Sequence, residues 1–428
     1  FGSALEWSGG ATDSALPEPR MLRLRRAEAL ANAGRGGEAG PLFLQVAEEG
    51  PEEHGLDLRR RAIESLMLSG RIDEGLTLVK PVLTRVGLSY SDSTAVTLGG
   101  VAWNMVRLMA GGAKLRKRPD PVPAELRART DMTWALGKSL ASIESLRAMG
   151  FQIQSLRLAL ESGDPARASR ALTAFGALWL FQGTRGSVER GSRYLEQGKA
   201  LAQELKDPAL IGFAETYQST RSYVLGEWRT ALAEADHGMG LLQEHGVDVI
   251  WETNVGRTQA CLVLQTTHGL RELGQRASEW FRVANEVGDL FSRVTASFST
   301  ALCLISQGQT DEARQLMTEM MAGWSRLGAI QHGWHVLRET LAELYEGKLE
   351  ESRVRLEKAW PSLVAGQWLR GQLGRFELYG LRARISLALA EREPQRREEL
   401  VRSAQKDIAL LAQEIRRDTP SLVHLLQA

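Results

Sequence analysis

Leu30-Ala31-Asn32-Ala33-Gly34-Arg35-Gly36-Gly37-Glu38-Ala39, followed by Phe43, decides the fold. An apolar helical run ends at a glycine and a short polar turn follows. A small residue stands five places after the glycine, and a large apolar residue four places beyond that. The same arrangement returns in Leu66-Met67-Leu68-Ser69-Gly70-Arg71-Ile72-Asp73-Glu74-Gly75 with Val79. It returns again around Gly163, with Ala168 and Leu172, and around Gly308, with Ala313 and Met317. Shorter versions surround Gly226 and Gly347. Glycine supplies the left-handed conformation that ends a helix. The small residue lets the next helix cross closely, and the larger one fills the remaining gap. Spacing is 36 residues from Gly34 to Gly70, and 39 both from Gly269 to Gly308 and from Gly308 to Gly347. A two-helix unit of that period is the signature of a helical solenoid.

The rest of the chain agrees with that unit. Apolar or small residues recur at spacings of three and four, as in Leu195, Gly198, Ala202 and Leu205, and alternating strand-like runs are missing. Asp164-Pro165, Asp207-Pro208 and Thr419-Pro420 each place a capping side chain before a proline suited to the first turn of a helix. The sequence therefore predicts an all-α fold of about twenty helices, stacked as antiparallel pairs into a right-handed superhelix with a concave groove. Four regions are expected: a flexible leader over residues 1–19, N-terminal helical repeats over 20–110, a basic, proline-containing loop over 111–123, and the main repeat array over 124–428. In the loop, Gly111 and Gly112 oppose helix and Pro119, Pro121 and Pro123 forbid its resumption before Ala124, after which helical patterning runs through Met149.

The Gly…Ala…Phe/Leu spacing resembles degenerate tetratricopeptide (TPR) repeats. Several stretches resemble, more narrowly, the C-terminal helical-repeat region of large bacterial Ser/Thr protein kinases of myxobacterial type, which carry a STAND-type ATPase module. They are Leu58-Arg59-Arg60-Arg61-Ala62 with Ser69 to Leu76, Leu225-Gly226-Glu227-Trp228-Arg229-Thr230-Ala231-Leu232, and Leu381-Arg382-Ala383-Arg384-Ile385-Ser386-Leu387-Ala388. The resemblance runs from about Leu22 to Ala428 and rests on structural motifs. It implies a TPR-like solenoid that binds a protein or peptide, or regulates the kinase and ATPase domains of its parent in signalling.

Composition narrows the function. Apolar residues make up 43% and charged residues 25%, an ordinary globular balance that fits neither wholesale disorder nor a membrane protein. The net charge of +1 gives no overall basic footprint for nucleic acid. No stretch reaches the ~18 apolar residues of a membrane span, so no membrane partner is expected. The start, Phe1-Gly2-Ser3, lacks an initiator Met and the features of a signal peptide; it reads as a fragment of something longer or a processed chain. Cys261 and Cys303 each sit in an apolar helical run and read as reduced core residues of a cytoplasmic protein, with a disulfide between neighbouring helices as the alternative.

Catalytic motifs are missing from the sequence. There is no phosphate-binding Gly-x4-Gly-Lys-Ser/Thr loop, no set of kinase signatures and no Gly-x-Ser-x-Gly elbow, so the chain is expected to be no enzyme and to hold no cofactor. His332 and His335 stand i, i+3, with Glu339 one turn on, but no further ligand lies nearby in sequence; a helix-start turn, and no metal, is the expectation. The eleven tryptophans read as packing between repeats, with Trp228 packing a turn. Lys114, Arg116, Lys117 and Arg118 put four cations into five residues. They form the candidate docking patch, for an acidic protein partner or the parent's own catalytic domains. The expected role is a non-catalytic interaction and sensor scaffold. The alternatives are the sensor array of a transcriptional regulator, or an enzyme using the superhelix lumen as its active site.

Overall fold

The computed structural model describes residues 18–428 apart from 51, 92, 113, 117–121, 142, 247–248 and 327–328. Residues 1–17, most of the expected leader, lie outside it. Among the described residues there are twenty α-helices and no strand. In chain order they are α1 (Pro19–Asn32), α2 (Gly36–Glu48), α3 (Glu52–Leu68), α4 (Ile72–Arg85), α5 (Thr94–Gly111), α6 (Ala124–Ser139), α7 (Ser145–Ser162), α8 (Pro165–Leu180), α9 (Arg185–Leu205) and α10 (Pro208–Leu225). They continue as α11 (Trp228–His245), α12 (Ile250–Thr266), α13 (Leu270–Val287), α14 (Leu290–Ser306), α15 (Thr310–Ala322), α16 (Ala329–Tyr345), α17 (Leu349–Ala365), α18 (Gln372–Arg392), α19 (Arg397–Leu411) and α20 (Thr419–Gln427). Most helices pack most extensively on a chain neighbour, as in α2 on α3, α8 on α9, α10 on α11 and α18 on α19.

The repeating unit works as its chemistry suggests. Gly34, Gly70, Gly163, Gly226, Gly308 and Gly347 all have positive φ, between 75° and 92°. The small residues that follow, Ala39, Ala168, Ala231 and Ala313, are fully buried, as is Phe43. At the crossing of α8 and α9 the side chain vanishes altogether: a Cβ on Gly176 of α8 would lie 2.8 Å from the carbonyl oxygen of Gly191 on α9. The caps divide. Asp164 accepts from the backbone N–H of Ala166 and Arg167, and Asp207 from that of Leu210. At the C-terminus the helix begins at Thr419 itself and Asp418 takes the cap position, one residue earlier than the sequence suggests. Helical structure resumes at Ala124, but α6 and α7 are separate helices with a turn after Ser139, which the pattern through Met149 conceals.

Contacts also join pairs that stand far apart in the chain. One apolar cluster joins Ile63 and Met67 of α3, Val79 and Leu83 of α4, and Leu136 of α6 to Val294, Phe298, Ala301 and Ile305 of α14 and Met317 of α15. At the contact, the Leu290 N–H donates to the Ser69 carbonyl at 3.1 Å. A second closure brings α18 onto the turn after α8, where the Gln372 N–H donates to the Phe181 carbonyl at 2.9 Å and Arg375 donates to the Gln182 carbonyl at 2.7 Å. A third pairs Arg417 with Glu227 at 2.8 Å. The coil therefore packs back upon itself at these contacts. Turn residues, which local pattern reads as solvent-facing, form the seams.

Candidate docking surface

The loop between α5 and α6 carries the sequence-predicted patch. Lys114 and Arg116 are exposed, while Lys117 and Arg118 lie outside the described residues. Leu115, between the two described cations, packs on the cluster formed by Leu108 of α5, Ile153, Leu156 and Leu160 of α7, and Phe175 of α8. The Arg116 N–H donates to the Leu160 carbonyl at 3.0 Å, a backbone tether to the end of α7. This pin holds the two cations outward on a packed base.

Folding brings further cations to the same surface. Arg107 stands exposed on α5, and Arg129 of α6 and Arg157 of α7 lie half-buried beneath it. Burial lowers the Arg157 pKa, and the fields of Arg107, Arg129 and Arg116 push in the same direction against that of Glu161. Two carboxylates answer this group: Glu161 lies 3.2 Å from Arg157, and Glu125 lies 4.0 Å from Arg129. No carboxylate among the described residues pairs with Arg107, Lys114 or Arg116. The Nε groups of Arg129 and Arg157 are buried without a hydrogen-bond partner among the described residues. The sequence missed Arg107, Arg129 and Arg157 because single arginines in amphipathic helices look like solvated face residues until three helices converge.

The interior holds charge as well. Lys138 of α6 is buried between Glu64 of α3, with which it forms an ion pair, and Glu252 of α12, whose Oε1 lies 3.7 Å away. Arg60 donates to Glu64 at 2.9 Å. Burial alone would raise the Glu64 pKa, but Lys138 and Arg60 hold it below the ordinary carboxylate value. Beside this network lies a cavity of about 40 Å³ whose lining includes Gly34, Ser69, Lys138, Trp251 and Asp289. It has room for a few water molecules, whereas ligand pockets run to several hundred Å³.

The remaining candidates are placed as follows. His332 Nε2 lies 3.0 Å from the Ser325 carbonyl oxygen. His335 is partly buried, and burial, then Arg355 and His332, lower its pKa. Among the described residues no group of three or more His, Cys, Asp or Glu side chains is placed to hold a metal ion. Cys261 and Cys303 are both buried and both free. Trp228 packs its turn against Tyr223, ring centroids 5.3 Å apart, with the Arg416 guanidinium 4.9 Å over the indole. Among the described residues Trp103 is the exception to the packing role, since it stands exposed on α5. Among the described residues no helix is long and apolar enough to cross a membrane. Compared with protein-family models and with curated proteins, the chain matches none.

Proposed function

We propose that this chain is a non-catalytic interaction and sensor module, a TPR-like solenoid whose helix pairs wind as a right-handed superhelix. It docks an acidic protein surface on the cations around Lys114 and Arg116. In this reading it serves signalling in the cytoplasm of a bacterium, as the regulatory repeat region of a Ser/Thr kinase with an ATPase module. The acidic surface then belongs to a protein partner or to those catalytic domains. The observation that supports it is the convergence of Arg107, Arg116, Arg129 and Arg157, beside the exposed Lys114, with Glu125 and Glu161 the carboxylates paired to this group among the described residues.

Long-range attraction of this kind is screened over about 8 Å at physiological ionic strength, so binding should weaken steeply with salt. The test uses poly-glutamate as an acidic probe and a single-stranded oligonucleotide as a polyanion of another class, each titrated against the intact chain. The reading expects poly-glutamate to bind. Replacing Lys114, Arg116, Lys117 and Arg118 by Ser should weaken that binding at least about tenfold at low salt, while stability changes by less than about 0.5 kcal/mol. Equal affinity of wild type and variant for poly-glutamate overturns the docking role. Preference for the oligonucleotide assigns the patch to nucleic acid instead.

A further inference from the structure

Helix α5 is built differently from its neighbours. Among the described residues it packs along its length chiefly on α7, through Val101, Met105 and Leu108. Its opposite side presents Val96, Leu98, Trp103, Val106 and Met109, which are 62%, 45%, 63%, 57% and 75% exposed. At 100° per residue these side chains share one arc of roughly 160°. Ala95, Gly99, Ala102 and Ala110 fill the rest of it, so the arc contains no charged or hydrogen-bonding side chain except the indole N–H of Trp103. A helix that is apolar on both sides is ordinarily covered on both sides.

We propose that a second copy of this chain covers the arc, α5 against α5, antiparallel about a two-fold axis near Ala102. Three observations favour that occupant. The five large side chains expose on the order of 600 Å² per copy, more than most monomers leave in one patch, and two copies would bury about 1,200 Å², the lower bound of a specific interface. Gly99, Ala102 and Val106 stand at mid-helix, and a Cβ on Gly99 would meet nothing within 4 Å, so two identical backbones can approach closely there. The cations Arg107, Lys114 and Arg116 lie towards or beyond one end of the helix. An antiparallel crossing keeps the two Arg107 positions roughly 15 Å apart along the helix axis, and Lys114 and Arg116, beyond the helix end, farther still, outside the screening length of about 8 Å. An acidic peptide or an anionic bilayer would be favoured by cations along the arc, and the arc carries none.

Sedimentation velocity of the intact chain at tens of micromolar tests this. Twice the chain mass of 47.2 kDa is expected for wild type. Val106→Glu and Trp103→Glu should each sediment at 47.2 kDa and keep the wild-type helix content by circular dichroism, because within the single chain both side chains are exposed. Ala102→Cys should cross-link under mild oxidation and Thr94→Cys should not. A wild-type monomer, a dimer that survives both Glu variants, or cross-linking at Thr94→Cys alone overturns the proposal. So does a monomer that sediments with phosphatidylglycerol vesicles in a Trp103-dependent way, which would assign the arc to a bilayer.

Discussion

Lys138 shows how much a single residue can owe to distant sequence. Its ammonium sits buried between Glu64 and Glu252, on two other helices. Removing it would leave Glu64 with Arg60 as its one paired cation among the described residues and Glu252 without the lysine beside it, at a cost of up to about 3–5 kcal/mol. Lys138→Met is therefore expected to destabilise the chain by that amount at neutral pH. The pH dependence has a definite sign. Glu64 is held below its ordinary value in the folded chain, so its contribution is present above about pH 4.5 and is lost as pH falls through the lower folded value. Without Lys138 that carboxyl titrates higher, and the gap between wild type and variant should narrow on acidification. Urea denaturation at neutral pH and near pH 4 checks it; an equal gap at both would contradict the assignment. Nothing in Gly137-Lys138-Ser139 announces a buried cation, because the partners that make the burial tolerable stand far away in the chain. The cations of the loop were legible for the opposite reason, being contiguous.

At the scale of the element, the turns were the most readable feature. The glycine of each unit must adopt positive φ for a local reason, so local sequence was sufficient. Gly269 is instructive. Its φ is −72° and it precedes α13 as the N-cap, while His268 takes the left-handed conformation at φ 57°. The turn is present but shifted by one residue, since two adjacent positions compete for one conformational role. Turn glycines also carry packing that sequence does not reveal. A Cβ on Gly70 would lie 2.8 Å from Leu290 Cβ, whereas one on Gly288 would meet nothing within 4 Å. Both have positive φ, so alanine is strained at either, by about 1–2 kcal/mol. Gly70→Ala should lose roughly 1–3 kcal/mol more than Gly288→Ala, from overpacking at the seam. Chemical denaturation of the two variants measures the difference; equal losses would show that the seam yields without cost.

For the whole molecule, period and helix count were legible, and the return of the coil upon itself was not. A repeat pattern specifies each pair and its next neighbour, which is enough to build an array. The contacts between Ser69 and Leu290, Phe181 and Gln372, and Glu227 and Arg417 join units far apart in the chain, through turn residues with ordinary polar composition. The exposed arc of α5 escaped notice for a related reason: the apolar residues on both its sides looked like core. The return of the coil upon itself ties these units together, so it is the claim to test first. The amides of Leu290 and Gln372 are the first residues of α14 and α18 and have no partner within their own helices. In the structure each donates across a seam. Leu270 and Leu349 open α13 and α17 without a partner for their N–H among the described residues and serve as references. Residue-resolved hydrogen exchange should find Leu290 and Gln372 slower than those references by on the order of a hundredfold or more. Exchange at the reference rate at both positions would mean that the coil does not close upon itself and that the array is open at these seams.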